Sequence, residues 1–190
     1  MTGESGYSVF ETAAGFAAMG WNAQGINSFR LPAKTAQEAE RSLLRRLPDA
    51  QPASPPTAVQ AVIEDALRYF AGERVDFAGV AVDLGAQEPF FARVYATVRG
   101  LGWGETATYG AIAKLLDAGP EYARDVGQAM AANPVPLIVP CHRVTAANGK
   151  IGGFSAPGGS LLKAQMLAIE GVEVRDGVVM RDMPQLGLGF

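Results

Sequence analysis

Between positions 7 and 31 apolar and polar residues alternate, with turn formers between the runs. The alternation predicts two strands, over 7–20 and 25–31, joined through Trp21-Asn22-Ala23-Gln24, with Pro32 ending the second. The period then changes to that of a helix. Thr35 is placed to cap a helix over 36–47, whose stripe is Ala36, Ala39, Leu43, Leu44 and Leu47. Four prolines between 48 and 57 mark a connector. A helix over 58–71 follows, with Val59, Val62, Ile63, Leu67 and Phe70 at helical spacing, and 74–84 reads as a further strand region.

Beyond about 88 the strand signal fades and the pattern is helical. A helix over 87–99 turns Phe90, Phe91, Val94, Tyr95 and Val98 inward until Gly100, Gly102 and Gly104 interrupt it. A helix over 107–117 follows Thr106, with Tyr109, Ile112 and Leu116 on one face. Asp117-Ala118-Gly119-Pro120 stops it, and a helix over 121–132 ends before Asn133-Pro134. Two short helices about a Gly-Pro turn outline a helix-turn-helix, a pattern shared by many hairpins that bind nothing. On the second of them Tyr122, Val126, Ala129 and Met130 fall inward. Arg124, Gly127, Gln128 and Ala131 form an outer face, small apart from one long cation, which suits close approach to a groove as well as a plain surface helix.

The run 135–140 is apolar with prolines at 136 and 140, so it reads as a buried extended segment and not a central strand. It leads into Cys141-His142-Arg143-Val144, an Asn148-Gly149 turn signal, and a glycine-rich stretch over 152–159. Ser160 is placed to cap a last helix over 161–170, closed by Gly171, and 172–190 reads as a short strand or hairpin and a tail. No internal repeat is present.

Composition narrows the chemistry. With 190 residues the chain fits one large domain or two small ones, and 48% hydrophobic residues are too many for a disordered chain. No apolar run approaches the ~20 residues that span a bilayer, and the start lacks a signal peptide's pattern, so the expectation is a soluble cytoplasmic protein. A net charge of −3 argues against broad nonspecific nucleic-acid affinity but leaves room for a local binding face. There is one cysteine, Cys141, and one histidine, His142. An intramolecular disulfide is therefore excluded, and the pair falls short of a structural zinc set.

A lone cysteine in an apolar stretch is commonly an inert core residue. Cys141 differs in following a proline-stiffened segment, in having His142 and Arg143 beside it, and in preceding a glycine-rich loop. A thiolate needs a base or positive charge nearby, and both are present locally. In extended backbone neighbouring side chains point apart, so Cys141 and His142 need a turn or a bridging water to cooperate. An orienting third group is also required. Glu170, at a helix end whose dipole disfavours it by ~0.3–1 kcal/mol, is a candidate, the alternative being a solvated surface carboxylate.

The run from Asn133 through Pro140-Cys141-His142-Arg143-Val144 closely resembles the active-site motif of the O6-alkylguanine-DNA alkyltransferases. Ala123-Arg124-Asp125-Val126-Gly127-Gln128-Ala129-Met130 is similar to that family's recognition helix, and Thr108-Tyr109-Gly110 to its Thr-Tyr element. Gly149, Gly152, Ser155, Gly158, Gly159, Leu161, Lys163, Glu170 and Gly171 fall in family order. The likeness is strong over 88–172 and looser over 7–85. It implies an α/β N-terminal lobe over 1–86, a small sheet with helices of ribonuclease H-like type. It further implies a mainly α winged helix-turn-helix domain over 87–175, and a tail over 176–190.

The resemblance also implies a mechanism. The protein would act as a monomer on duplex DNA containing O6-alkylguanine, docking in the minor groove and flipping the damaged nucleotide, whose target atom is unreachable inside the stack. Arg124 would fill the vacated space, with Ala123 and Gly127 allowing close contact. Asn133 would brace the turn, and Tyr109 would protonate the departing guanine oxygen. Cys141 would attack the alkyl carbon, while His142, oriented by Glu170, would take the thiol proton through a water. The backbone around Val144 and the Ser155 side chain would contact the base, and Lys163 would stabilise the pocket or Tyr109. A thioether does not leave under mild conditions, so one turnover without metal or organic cofactor is expected. Some members hold zinc in the N-terminal lobe; here no Cys or His lies outside 141–142.

Charge departs from what DNA binding favours. Residues 101–163 carry five cations against four carboxylates, and Glu121 and Asp125 sit on the presumed recognition helix. Weak DNA affinity with a shallow salt dependence is expected. Three other readings stay open: a protein that binds alkylated DNA without transfer, a cysteine hydrolase or thiol transferase acting on a small molecule, and an inactive family member.

Overall fold

The structure, a computed structural model, describes residues 5–180; of the expected tail over 176–190, positions 181 onward lie outside the described residues. Two compact units divide the chain, Met1–Gln87 with Pro134–Ile138, and Glu88–Asn133 with Val139–Phe190. The segment 134–138, expected within the C-terminal domain, thus groups with the first unit.

In the first unit an antiparallel sheet runs in the order β1 (Gly6–Thr12), β2 (Gly15–Asn22), β3 (Gly25–Ala33). The single strand expected over 7–20 is a hairpin. The Thr12 hydroxyl donates to the Gly15 carbonyl and accepts from the Ala14 N–H, and Gly15 takes φ +123°. Pro32 does not end β3. Within the sheet that strand pairs only with β2, so at Pro32 a residue without an N–H forfeits no ladder bond, and a register shift between Phe16 and Ala18 takes up the irregularity.

Helix α1 (Ala36–Leu44) is capped by the Thr35 hydroxyl, which accepts from the Glu38 N–H at 3.2 Å, while the Glu38 carboxylate accepts from the Lys34 N–H. It buries Ala39 and Leu43 against Tyr7, Ala18 and Ala33, and the leucine contributes ~1.5–3 kcal/mol. It stops short of the expected 47 because Arg46 turns tightly onto the Leu43 carbonyl. Helix α2 (Thr57–Phe70) buries Val59, Ile63, Ala66, Tyr69 and Phe70. The strand expected over 74–84 is absent: carboxylates of Asp76 and Asp83 hold turns, and the segment meets the sheet through an isolated bridge, Ile26 to Val82, and through the Asn22 amide, which donates to the Asp83 carboxylate at 2.6 Å. Pro134–Ile138 is held by the Phe29 N–H, which donates to the Pro134 carbonyl at 3.0 Å.

The second unit is helical with two small sheets. Helix α3 (Pro89–Arg99), with Pro89 in its first turn, starts where the Glu88 carboxylate accepts from the N–H groups of Phe90 and Phe91. Strand β4 (Ala107–Thr108) precedes α4 (Tyr109–Leu115), and Thr108, two residues later than the expected Thr106, supplies the cap. After a 3-10 turn, Pro120–Tyr122, comes α5 (Ala123–Ala132), burying Val126, Ala129 and Met130. Tyr122, expected inward, is 42% exposed and packs at a tilt against Phe90.

A second 3-10 turn, Cys141–Arg143, leads into β5 (Val144–Thr145), parallel to β4. Asn148 and Gly149 both take positive φ in the expected turn. Helix α6 (Gly159–Ile169) begins from Gly158 at φ +85° and not from a Ser160 cap, and the pair β6 (Val174–Arg175) and β7 (Val178–Val179) forms the hairpin expected after it. Among the described residues no helix is long and apolar enough to cross a membrane.

Candidate active site

Cys141 follows Pro140, and its N–H donates to the Val139 carbonyl at 2.8 Å; the Arg143 N–H donates to Pro140 at 2.9 Å. These bonds wind 141–143 into a turn, so Cys141 and His142 do not project oppositely as they would from a strand. The Asn133 amide donates to the Val139 carbonyl at 2.8 Å, a clamp from the end of α5 onto the residues that set the turn. All of these groups are buried.

Behind the turn lies Glu170, at the C-terminal end of α6 and 4% exposed, so it is not the solvated carboxylate that sequence pattern allowed. Its Oε1 lies 2.6 Å from His142 Nε2. Arg143 grips both oxygens, Nε to Oε2 at 2.8 Å and Nη2 to Oε1 at 3.0 Å, and Nη1 donates to the Leu101 carbonyl. The Gly104 N–H adds a donor at 3.1 Å. Burial pushes the Glu170 carboxyl up, but the hydrogen bonds from His142 and Arg143 and the charge of Arg143 outweigh it and bring it to about 2. A buried carboxylate is tolerated here because four donors converge on it.

On the other side the thiol reaches a cavity of about 300 Å³ lined by Tyr109, Gly127, Met130, Ala131, Phe154, Ser155 and Lys163. Burial pushes the Cys141 thiol up, against the opposing effects of the Asn133 amide, the Lys163 charge and the N–H groups of Cys141 and His142. Burial also lowers the His142 imidazole, outweighing the attraction to Glu170. The resting pair is thus a thiol beside a neutral imidazole. Burial, and then the charge of Cys141, raises the Tyr109 phenol, which leaves it a proton donor at neutral pH.

Lys163 is 1% exposed and donates to the Val144 carbonyl at 2.6 Å. Its ammonium lies 5.8 Å from the Tyr109 ring centroid and 5.7 Å from that of Phe154. Burial lowers it to about 8, partly offset by Cys141. Gly152 has φ +77°, and a Cβ there would lie 3.3 Å from the Tyr109 hydroxyl, so a bare backbone lets the phenol reach its place.

The structure therefore brings Cys141, His142, Glu170, Asn133, Tyr109 and Lys163 together, with Ser155 and Gly127 on the cavity wall. Ala123 and Arg124 stand at the start of α5, the arginine exposed, outside the cavity lining. Val144 is buried outside the lining too, its N–H bonded to Cys141 and its carbonyl taken by Lys163. Phe154 and the clamp of Arg143 were not legible in the sequence, and Met130, expected inward, also lines the cavity. The arginine's place inside the cysteine motif was the one available signal. Among the described residues no group of three or more His, Cys, Asp or Glu could hold a metal ion.

Residues 89–172 match the family described as 6-O-methylguanine DNA methyltransferase, DNA binding domain. A methylated-DNA–protein-cysteine methyltransferase of Metallosphaera sedula is 44% identical over 103 residues, 54% of this chain and 62% of the relative. Less than two thirds of that relative's length is thus spanned. A DNA base-flipping protein of Thermus thermophilus is 43% identical over 103 residues, 54% of this chain and 67% of the relative. Among solved structures, Mycobacterium tuberculosis OGT in complex with DNA superposes with a TM-score of 0.69 at 30% identity, over 86% of this chain and 91% of that one.

Proposed function

The chain belongs to the 6-O-methylguanine-DNA methyltransferase family, and from that premise we propose that it repairs DNA by moving the alkyl group of O6-alkylguanine onto Cys141, once per molecule. The observation that carries this reading is the single thiol, 6% exposed, at the wall of an open cavity, backed by a neutral imidazole and an ionised carboxylate. Such a sulfur is inert until a substrate fills the cavity.

The cavity is far too small for a duplex, so the damaged base must leave the stack to enter it. In this reading α4, the turn after it and α5 are the helix-turn-helix of a winged domain that docks in the minor groove. The first unit is the ribonuclease H-like lobe. Arg124, exposed beside the half-exposed Ala123 and Gly127, enters the gap left by the extruded nucleotide. Phe154 and Met130 give the base apolar walls, and Ser155 contacts its polar edge. The base can meet backbone near Val144, with the free capacity of its carbonyl already reduced by Lys163.

In the chemical step the Cys141 sulfur forms a bond to the alkyl carbon as the bond from that carbon to the guanine oxygen breaks, in line. The thiol proton passes through a water to His142, which Glu170 orients, and Tyr109 donates a proton to the departing oxygen. Transfer of the imidazolium proton back to the phenolate restores both groups. The products are a thioether and a guanine. Displacement at carbon by sulfur calls on neither metal nor organic cofactor, and the thioether has no leaving group, so the protein is spent. We place this activity in a cytoplasmic monomer.

A mass spectrum taken after mixing the chain with a duplex bearing O6-methylguanine tests the reading. One methyl gained, mapped to Cys141, at no more than one equivalent per chain, is the expected result. Binding that leaves the protein mass unchanged favours recognition without transfer, a reading encouraged by the relative named as a DNA base-flipping protein. Repeating the measurement with Arg124→Ala should slow transfer at least ~10-fold on duplex DNA, a loss of ~1.4 kcal/mol, and leave transfer from a free modified base unchanged.

A further inference from the structure

We propose that Arg143 is the positioning residue that fixes the charge and tautomer of His142: it takes up the charge of Glu170, so the imidazole remains neutral with its proton on Nε2. The consequence for catalysis rests on the alkyl-transfer reading above; the charge assignment stands apart from it.

A carboxylate beside a buried imidazole pulls it towards the imidazolium, because the opposite charge favours the protonated ring, and burial alone has to oppose that pull. An imidazolium cannot accept the thiol proton. Glu170 Oε1 lies 2.6 Å from His142 Nε2, the arrangement that would disable the base. The guanidinium changes the balance. It bonds both carboxylate oxygens, Nε to Oε2 and Nη2 to Oε1, and it does not lose its proton. The carboxylate is therefore already matched by one full charge when it meets the imidazole, and a second cation there would be in excess.

The other charged groups facing the ring agree. From α6 come Glu170 and Lys163, and from the ring's own turn come Arg143 and Cys141. Tyr109, on α4, faces the cysteine. Two permanent or near-permanent cations against one carboxylate disfavour a third cation at His142. The tautomer follows from the same bonds. An ionised carboxylate only accepts, so the Nε2 at 2.6 Å must be the donor, which leaves Nδ1 as the lone-pair nitrogen for the proton of Cys141. A lysine at 143 would keep the charge and lose the two-pronged geometry.

Arg143 also ties the turn to the Leu101 carbonyl, so the test must read more than stability. The chain has one histidine, and the imidazole nitrogens of the 190-residue chain labelled with 15N-histidine report on His142 without assignment. In the unaltered chain the ring should be neutral at pH 7, protonated on Nε2, and titrate below the ordinary ~6.5. Arg143→Gln should raise the midpoint by about one unit or more, because Glu170 then pairs with the imidazolium. Arg143→Lys should stay near the unaltered chain, and Glu170→Gln, which leaves the guanidinium unmatched, should fall below it.

The pH profile of transfer from a duplex bearing O6-methylguanine should follow, its acid limb moving up in Arg143→Gln so that the rate lost at neutral pH returns at higher pH. An imidazolium in the unaltered chain at pH 7 overturns the proposal, and so does an unchanged midpoint in Arg143→Gln. Should Arg143→Gln fail to fold, the state of the ring in the unaltered chain and in Arg143→Lys still decides. Transfer with an unmoved histidine condemns the role of Arg143 alone; the expected histidine behaviour without transfer condemns the function and leaves the charge assignment standing.

Discussion

In the first unit Tyr7, Ala18, Ala33, Ala39 and Leu43 close an apolar core, and the buried polar residues among those described are Thr12 and Ser28. The second unit buries Asn133, His142, Arg143, Thr145, Lys163 and Glu170. Both contain packed helices, with side-chain caps on α1 in the first and on α3 and α4 in the second. The difference lies in what the interior must satisfy. Apolar burial asks for close packing but for no directional partner, whereas each buried charge needs partners at hydrogen-bond distance or it destabilises by several kcal/mol. Four donors around Glu170 show that the second unit meets this condition, and they do so around the residues proposed to carry the reaction. A polar interior of this kind holds a base and its orienting group still, while a core such as the first unit's supplies stability without chemistry.

The comparison is broken most completely at one atom. Cys141→Ala should abolish alkyl transfer while thermal unfolding of both units shifts by only ~1 kcal/mol, since the replaced thiol is small. Binding to a duplex with O6-methylguanine should persist, measured by fluorescence anisotropy. Residual methyl transfer to the protein in this variant would place the acceptor elsewhere and dissolve the link between the polar interior and the reaction.

Next in size is a matched pair, one substitution in each interior. Leu43→Ala removes packing in the first unit and should cost ~2–5 kcal/mol at any pH. Glu170→Gln strips the charge that balances Arg143 and should cost ~3–5 kcal/mol near neutrality. Only the second should depend on pH. The Glu170 carboxyl is held at about 2 in the folded chain. Its unfolded value is ~4.3, so its stabilisation is complete above that value and drains away as pH falls toward 2. Denaturant unfolding at pH 7 and pH 3 should therefore show the Glu170→Gln deficit shrinking and the Leu43→Ala deficit constant. A Leu43→Ala deficit that also shrinks in acid would remove the distinction between the two interiors.

How much of this was legible in the sequence follows the same division. The helical stripes were readable because burial repeats with the helix period, and Thr35 and Gly171 punctuate α1 and α6 as their chemistry dictates. The first hairpin was not, since Thr12-Ala13-Ala14-Gly15 has no strong turn dipeptide and depends on one hydroxyl and one glycine φ. The passage of β3 through Pro32 needed knowledge that it is an edge strand. Residues 74–84 have strand-like composition, but aspartates at 76 and 83 divert the backbone into turns. In the second unit resemblance to a family named Cys141 and His142 through the cysteine motif and Glu170 through its place downstream, while pattern alone favoured a solvated Glu170. The grip of Arg143 on Glu170 joins residues 27 apart in sequence, and no local period records it.

The smallest effect sharpens the contrast from the stable side. The Thr35 hydroxyl satisfies the Glu38 N–H at the start of α1, and its loss in Thr35→Ala should cost ~1 kcal/mol. The chain has two tryptophans, Trp21 on β2 in the first unit and Trp103 in the second, so a Trp103→Phe background leaves Trp21, 2% exposed, to report on the first unit's unfolding. In that background the Trp21 midpoint should move by the expected amount in Thr35→Ala, and the methyl-transfer rate to Cys141 should not. A polar interior that orients its own base takes its geometry from local donors such as Arg143 and Gly104, which a cap on α1 does not touch. A transfer rate falling in step with the Trp21 midpoint would mean that the reactive geometry draws on the first unit's stability, and the two interiors would then have to be treated as one.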